Sequence, residues 1–562
     1  MTNARPAPAQ AVMKPALHRL DLAAFAVTIV FLLSGLLTLG NYGLSWDEGL
    51  GNFFFGNRYA QYITTFDPTY LDFAKTLPED QPGMLQLEQY TPFRDRPYEF
   101  PGLIDTLSAS FMRLFAYQLH TADPVDAFHS FTIVLAALYL LLQYLYVTRL
   151  LNRPAAFISI LLLATYPRFW GDMHFNPKDV PEAALFALAL MSFAVWARKP
   201  GWGDALLTGV YTGLALGVKA NALFLPVVML VWLAMWLFAG RQGLADLLAL
   251  ARNWAQVLAM GVSAGLAYWL SWPLLYAHPG LARLYFQYIF DQGGRQAKGE
   301  WTWQPLRMAV SVSPEIFLIA LGMGLVAALV WLVRGGERGR LAAFLLAWLA
   351  IPIVRISAPI SVNFDGIRHY LEFLPAATIL GGVGVTATIS WLRTRHVLLN
   401  TALVAFLASY FLANIIQAHS LYHPYQYIYY NQITGGTEAA QKIFKQSEVT
   451  DYWAVSYRGG LDWINSHAEP NSLLYVPIGD YLVSIPANIW LRDDIKQVSA
   501  DQLGSLVANG KKVYMMHITR PTFYKGAAKA CEGTKPIYQY WVGGVPVLQI
   551  FDLADCPPTA VQ

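Results

Sequence analysis

The sequence predicts a polytopic α-helical membrane protein of about 11 transmembrane helices with a C-terminal α/β extracytoplasmic domain, on three observations. Of 562 residues, 56% are hydrophobic and 14% aromatic, while 13% are charged, against roughly 25% in a soluble protein. Mean hydropathy is +0.37 over the whole chain, so the apolar excess is spread over many spans rather than held in one anchor. At roughly 20 residues per span, eleven helices leave more than half of the chain for loops and a domain outside the bilayer. A simple soluble enzyme is excluded. The formal charge of +3, without a dense Lys/Arg tract, gives no support to a nucleic-acid partner.

Residues 1–17, rich in Ala, Pro and Gln, read as a disordered stretch within a cytoplasmic tail over 1–19. Apolar runs over 20–416 predict helices at 22–41, 129–148, 154–167, 180–197, 204–218, 222–239, 254–276, 314–333, 340–354, 370–391 and 397–416. The first run is too long for a signal-peptide core and is followed by no small-residue cleavage site, so it reads as an uncleaved anchor. With the N-terminus in the cytoplasm, the loops on that side carry Arg149, Arg153, Arg198, Lys199, Arg241, Arg252, Arg334, Arg338, Arg340, Arg393 and Arg395, against the acids Asp204, Asp246 and Glu337. The long first outer loop, 43–125, holds eleven acids against five Lys/Arg, the opposite bias, which the positive-inside rule places across the membrane.

An odd number of spans puts 417–562 outside as well. Its pattern predicts a helix over 457–467, strands over 472–477 and 512–517, and a hairpin of 536–541 with 545–551 around Gly543-Gly544. In that register paired residues sum to 1087, a sum that Cys531 and Cys556, the only two cysteines, satisfy. A disulfide would follow if pairing persists that far, and would require an oxidising compartment such as a periplasm; the alternative is two unrelated thiols.

The chemistry is concentrated in the outer loops. Asp47-Glu48 follow the first span directly. Two adjacent acids in a loop are ordinarily solvated, but here the aromatic stretch Phe53, Phe54, Phe55, Tyr59 and Tyr62 follows and suggests a helix at the membrane interface. A second such helix would set Leu103, Ile104, Leu107, Phe111, Leu114 and Phe115 in one apolar stripe, packed on the spans or on lipid. The loop after the third span contains Arg168, Asp172, His174, Lys178 and Asp179; Lys219 ends the fifth span; Asp365, Arg368 and His369 precede the tenth. Each cation alone is explained by snorkelling or an ion pair. Together they suit an anionic, membrane-bound substrate. A lipid phosphate leaving group needs Arg or Lys to stabilise its developing charge, and a hydroxyl acceptor needs a carboxylate as base. There is no zinc motif, P-loop or dinucleotide fingerprint, although Asp47, Glu48 and Asp179 could give oxygen ligands to a divalent cation.

Pro167-Arg168-Phe169, Asn176-Pro177-Lys178-Asp179, Phe364-Asp365-Gly366-Ile367-Arg368-His369 and Tyr430-Asn431 with Gly435-Gly436, beside the acidic pair, resemble the GT-C superfamily of lipid-linked sugar transferases. More narrowly, they resemble its bacterial dolichyl-phosphate-mannose protein mannosyltransferase-like members, over roughly residues 20–465. The resemblance implies a GT-C-like catalytic domain in the bacterial cytoplasmic (inner) membrane with its C-terminal domain periplasmic. It also implies an inverting transfer from a polyprenyl-phosphate sugar to an acceptor hydroxyl on a glycan, lipid or protein, without a nucleotide donor. Asp47 would be the base, Glu48 its supporting neighbour and Asp179 a second acid. Lys178, Arg168, Lys219 and Arg368, in that order, would hold the donor phosphate, with Asp365, His369 and Tyr430 against substrate. The Trp-Trp-Asp-Tyr-Gly motif of oligosaccharyltransferases is missing; Asp451-Tyr452-Trp453 is not that sequence. A transporter or flippase of a lipid-linked anion would use the same cations, though the charges cluster at one face and no inverted repeat is visible. A non-catalytic glycan-binding assembly or sensor protein is the third reading.

Overall fold

The computed structural model describes residues 18–78, 83–296 and 299–560, with the side chains of 239–241 and 292–296 outside that description. The tail 1–17, expected to be disordered, lies outside the described residues. Among those described, eight helices are long and apolar enough to cross a membrane: Arg19–Leu37, Pro124–Leu150, Asp179–Arg198, Ala220–Phe238, Glu315–Arg334, Gly336–Ser357, Phe373–Arg393 and Val397–Ser420. The three other expected spans are also helical, as Arg153–Ala164, Trp202–Leu216 and Trp254–Ser271. Arg153–Ala164 has 12 residues and reaches about 18 Å at ~1.5 Å per residue, short of a ~30 Å hydrocarbon core. It is extended by Pro167–Asp172 after a break, where Pro167 opens the new helix at the one place a missing N–H costs nothing.

Local chemistry sets these boundaries. Asp123 caps Pro124–Leu150 through Val125 N and Asp126 N, and Asn152 caps Arg153–Ala164 through Ala155 N. Small residues allow the tightest crossings. A Cβ on Gly213 would lie 2.1 Å from Ala264 O, and one on Gly324 would lie 2.2 Å from Leu380 O. Those two glycines join Trp202–Leu216 to Trp254–Ser271 and Glu315–Arg334 to Phe373–Arg393 by backbone contact.

The first outer loop folds as two helices, Phe53–Thr65 and Leu103–Met112. Phe53, Phe54, Phe55 and Tyr59 are buried, so the first packs into protein. In the second Ile104, Asp105, Ser108, Ala109 and Met112 face inward, while Leu107 and Leu114 are 39% and 41% exposed. Its inward carboxylate is satisfied by Lys178 and Asn52, so the helix turns Asp105 in and part of the apolar stripe out.

The C-terminal domain is a five-stranded sheet, ordered β2-β1-β3-β5-β4, with β1 Leu473–Tyr475, β2 Lys496–Val498, β3 Val513–Ile518, β4 Tyr538–Val542 and β5 Val545–Asp552. Strand β1 runs parallel to β2 and β3, and β5 antiparallel to β3 and β4. Gly543 and Gly544 take φ of 56° and 83°, as a primed two-residue turn requires. The expected register holds next to the turn, at Val542↔Val545 and Trp541↔Pro546; an irregularity between Tyr540 and Trp541 shifts it by one residue from Tyr540↔Leu548 to Tyr538↔Ile550. Cys531 and Cys556 are nevertheless joined, with Cα atoms 5.2 Å apart. The short turns Gly526–Ala530 and Leu553–Asp555 bring them together beyond the ladder, not strand pairing as the 1087 sum supposed. The domain shares one hydrophobic core with the first outer loop, in which Phe53, Phe54 and Phe128 pack in the same cluster as Leu461, Leu482, Met516 and Leu548. The acidic loop is thereby clamped between bundle and sheet.

Candidate active site

Asp47 and Glu48 are adjacent in sequence and opposite in environment. Glu48 is 1% exposed. It accepts from Ser45 N at 2.8 Å and Ser45 Oγ at 3.0 Å, and faces His129 Nε2 at 2.9 Å. Burial pushes its carboxyl above the ordinary range, opposed by His129 and the Ser45 hydrogen bonds. Its contacts pin the turn to the Pro124–Leu150 helix. The Asp47 side chain is 38% exposed, with Oδ2 3.3 Å from Arg368 Nη1.

Arg368 lies at the centre of the cluster. Its guanidinium sits 4.4 Å from the Trp453 ring centroid and 5.0 Å from that of Phe364, and its Nε is 3.9 Å from Asp365. Burial disfavours its charge, but Asp47, Asp365 and Asp179 outweigh burial and raise its pKa further. The loop bends sharply at Asp365 and Gly366, with φ of 58° and 78°. A Cβ on Gly366 would fall 2.1 Å from Arg168 Nη1, so only glycine admits Arg168 there.

Lys219 carries the network onward, with Nζ 2.6 Å from Asp179 Oδ1 and 3.3 Å from the Arg368 carbonyl. Asp179 also accepts from Asn176 Nδ2 at 2.6 Å. Lys178 turns the other way, donating to Pro101 O at 2.8 Å and Asp105 Oδ2 at 2.9 Å. Asp105 accepts in addition from Asn52 Nδ2 at 2.9 Å. Lys178 therefore fastens the second outer loop to both helices of the first.

Arg168 is buried behind this layer. It donates from Nη1 to Tyr452 Oη at 2.7 Å and stacks 5.4 Å from the Tyr430 centroid, while its Nε and Nη2 have no protein partner. Tyr430 is fully buried, with its hydroxyl on Glu448 O at 3.2 Å, so it supports Arg168 from below. His369 contributes its carbonyl to Asn221 Nδ2 at 3.0 Å and to Arg355, and its ring lies 4.6 Å from Phe364. Asp365 takes a second cation, Arg520 Nη2 at 2.9 Å; burial raises its carboxyl pKa against both arginines.

The structure thus gathers Asp47, Arg368, Asp365, Lys219 and Asp179 into one connected cluster, with Arg168 beneath and Lys178 to one side. The three carboxylates considered for a divalent cation do not converge: Glu48 turns to His129 and Asp179 is taken by Lys219. Among the described residues no group of three or more His, Cys, Asp or Glu is placed to hold a metal ion. Four participants were not singled out from sequence. Asp172 is buried with Oδ1 unpartnered, and burial plus the Asp179 charge push its carboxyl to about 8 against Arg168 and Arg368. Asp105 and Trp453 anchor Lys178 and Arg368. Arg520 reaches over from the C-terminal domain, donating also to Tyr452 O at 2.8 Å. Asp172 stood in a loop already dense with charge; nothing local marks Arg520.

Comparison with known proteins gives one family. Residues 107–272 match the dolichyl-phosphate-mannose-protein mannosyltransferase family. The matched segment contains Arg168, Asp172, Lys178, Asp179 and Lys219; Asp47, Asp365 and Arg368 lie outside it. Similar solved structures include ArnT from Cupriavidus metallidurans bound to undecaprenyl phosphate, at 16% identity and TM-score 0.49, covering 96% of this chain and 99% of that one. The Archaeoglobus fulgidus oligosaccharyltransferase aligns at 13% identity and TM-score 0.44, covering 89% of this chain and 69% of that one. The arabinofuranosyltransferase AftD from Mycobacteria aligns at 16% identity and TM-score 0.42, covering 96% of this chain and 40% of that one. No curated protein matches the chain by sequence.

Proposed function

We propose that the protein is a GT-C-type inverting glycosyltransferase. It moves a sugar from a polyprenyl-phosphate donor to an acceptor hydroxyl on the outer side of a bacterial cytoplasmic membrane. The observation that carries this reading is Asp47, a carboxylate left 38% exposed 3.3 Å from Arg368 while its neighbours Glu48, Asp105 and Asp179 are all buried and paired. The basic loops at the other membrane face support the orientation, as does a disulfide in the domain on the Asp47 side.

In the reaction the acceptor O–H gives its proton to the Asp47 carboxylate. The acceptor oxygen bonds to the sugar's anomeric carbon from the face opposite the phosphate, and the bond from that carbon to the phosphate oxygen breaks. The electron pair leaves on the phosphate. A single displacement inverts the anomeric centre. The geometry favours Arg368 and Lys219 for the leaving phosphate, because both flank Asp47 or its partner. Arg168, with its Nε and Nη2 unpartnered, stands behind them, and Lys178 holds the loops together. Drawing Arg368 toward phosphate would also release the Asp47 Oδ2 that now accepts from it, leaving that oxygen to take the acceptor's hydrogen.

Asp47→Asn should leave membrane insertion intact and lower transfer by about 10²–10⁴-fold, the usual worth of a general base. Comparing the glycans and lipids of cells with and without the protein names the sugar and its acceptor, and cells carrying the Asn variant should match those without it. Wild-type product from that variant would remove Asp47 from the mechanism.

A further inference from the structure

The helix that begins at Asp179 ends at Arg198 after 20 residues, about 30 Å away at ~1.5 Å per residue. At that far end lies a cavity of about 1090 Å³. Trp232 and Trp236 form its inner wall, and Arg198, Glu337, Arg340 and Asp246 its charged lining. The charges are paired, Arg198 with Glu337 and Arg340 with Asp246. Arg340 also sits 4.4 Å from the Trp236 ring centroid, and Trp232 Nε1 donates to the Arg340 carbonyl at 2.8 Å. Trp236 is 4% exposed, and its indole N–H has no partner. A buried donor left unsatisfied is costly, and a ligand acceptor would recover that cost.

We propose that this cavity binds a glycerophospholipid whose headgroup joins a phosphodiester to a primary ammonium. Charge complementarity selects that headgroup. Two arginines and an indole N–H suit the phosphodiester oxygens, and two carboxylates suit the ammonium, so the lining is balanced as a zwitterion is. A headgroup with only negative charge has no cation to offer Asp246 and Glu337 when Arg340 and Arg198 turn from them to the phosphodiester, and a trimethylated ammonium has no N–H to give them. The location suits a lipid rather than a soluble zwitterion: the lining residues close the ends of membrane-spanning helices, beside Leu237, Phe238 and Leu248, which are exposed and extend an apolar surface for acyl chains.

The proposal is independent of the transfer reaction and is tested without it. The full-length protein in detergent is titrated with phosphatidylethanolamine, phosphatidylglycerol and phosphatidylcholine, and bound lipid is read by native mass spectrometry. Phosphatidylethanolamine should bind at least about 5-fold tighter than either other lipid, and Trp236→Phe, which keeps the ring under Arg340, should weaken it by about 5- to 10-fold, the worth of one hydrogen bond. Asp246→Asn with Glu337→Gln should erase the preference over phosphatidylglycerol. Equal binding of the three lipids by the wild type overturns the proposal and needs no variant to fold. Full phosphatidylethanolamine affinity in both variants would overturn it as well.

Discussion

The two ends of the helix bundle use the same ion pairs under different physical conditions. At the outer end the acids are nearly all buried, as with Lys219–Asp179 and Lys178–Asp105, whose carboxylates are 3% and 0% exposed. At the other end Arg198–Glu337 and Arg340–Asp246 are part-exposed pairs. A buried charge stripped of its partner cannot be rescued by water, whereas an exposed one can. The outer cluster is therefore rigid and intolerant of substitution. Within it Asp47 is the exposed carboxylate, and unpartnered atoms remain on Arg168 and Asp172 among others. At the far end the pairs are adaptable, and the open valence is the Trp236 N–H.

The largest test of this contrast is the transfer lost in Asp47→Asn. Next, Lys219→Met leaves the Asp179 carboxylate buried against Asn176 alone, and should destabilise the protein by about 3–5 kcal/mol, read as a lower unfolding midpoint in detergent. Should Lys219→Met prove neutral, the outer end would be no more rigid than the inner one.

Asp172 gives a pH signature. Its folded carboxyl lies at about 8, above the ordinary carboxylate range because burial and the Asp179 charge disfavour ionisation, so the folded state holds the proton more tightly than the unfolded. Its contribution to stability is fully present below pH 4 and is lost as pH rises through 8. Asp172→Asn should flatten the decline in melting temperature between pH 5 and 8; an unchanged slope would show the carboxyl already ionised. The smallest effect is expected at the other end, where Glu337→Gln should shift stability by about 0–1 kcal/mol. A loss comparable to that of Lys219→Met would erase the distinction.

Periodicity and length made much of this architecture legible. All eleven apolar runs read from the sequence are helical because the bilayer demands continuous apolar stretches, though the helices Gly240–Ala251 and Leu281–Gln296 were not expected; Gly543-Gly544 located the hairpin because few residues accept two positive φ values. Four charged loops also pointed to one face. Local signals failed where a contact spans the chain. Arg520 reaches Asp365 across 155 positions, and Glu48 meets His129 on another helix. For the Leu103–Met112 helix the apolar stripe left open whether it meets the spans or lipid, and only the fold places Asp105 inward and Leu107 outward.

The sequence by itself determined the membrane class, the helical segments and which charged residues stand in the loops between them. These follow from composition and spacing, which solvent and bilayer read locally. Only the tertiary structure decided that Asp47 stays open while Glu48 is sealed, that Lys178 fastens loops while Lys219 and Arg368 face the cleft, and that the C-terminal domain closes over them through Arg520. Those outcomes depend on which groups lose their water and which charge lies within a few ångströms, and burial and proximity are properties of the folded chain.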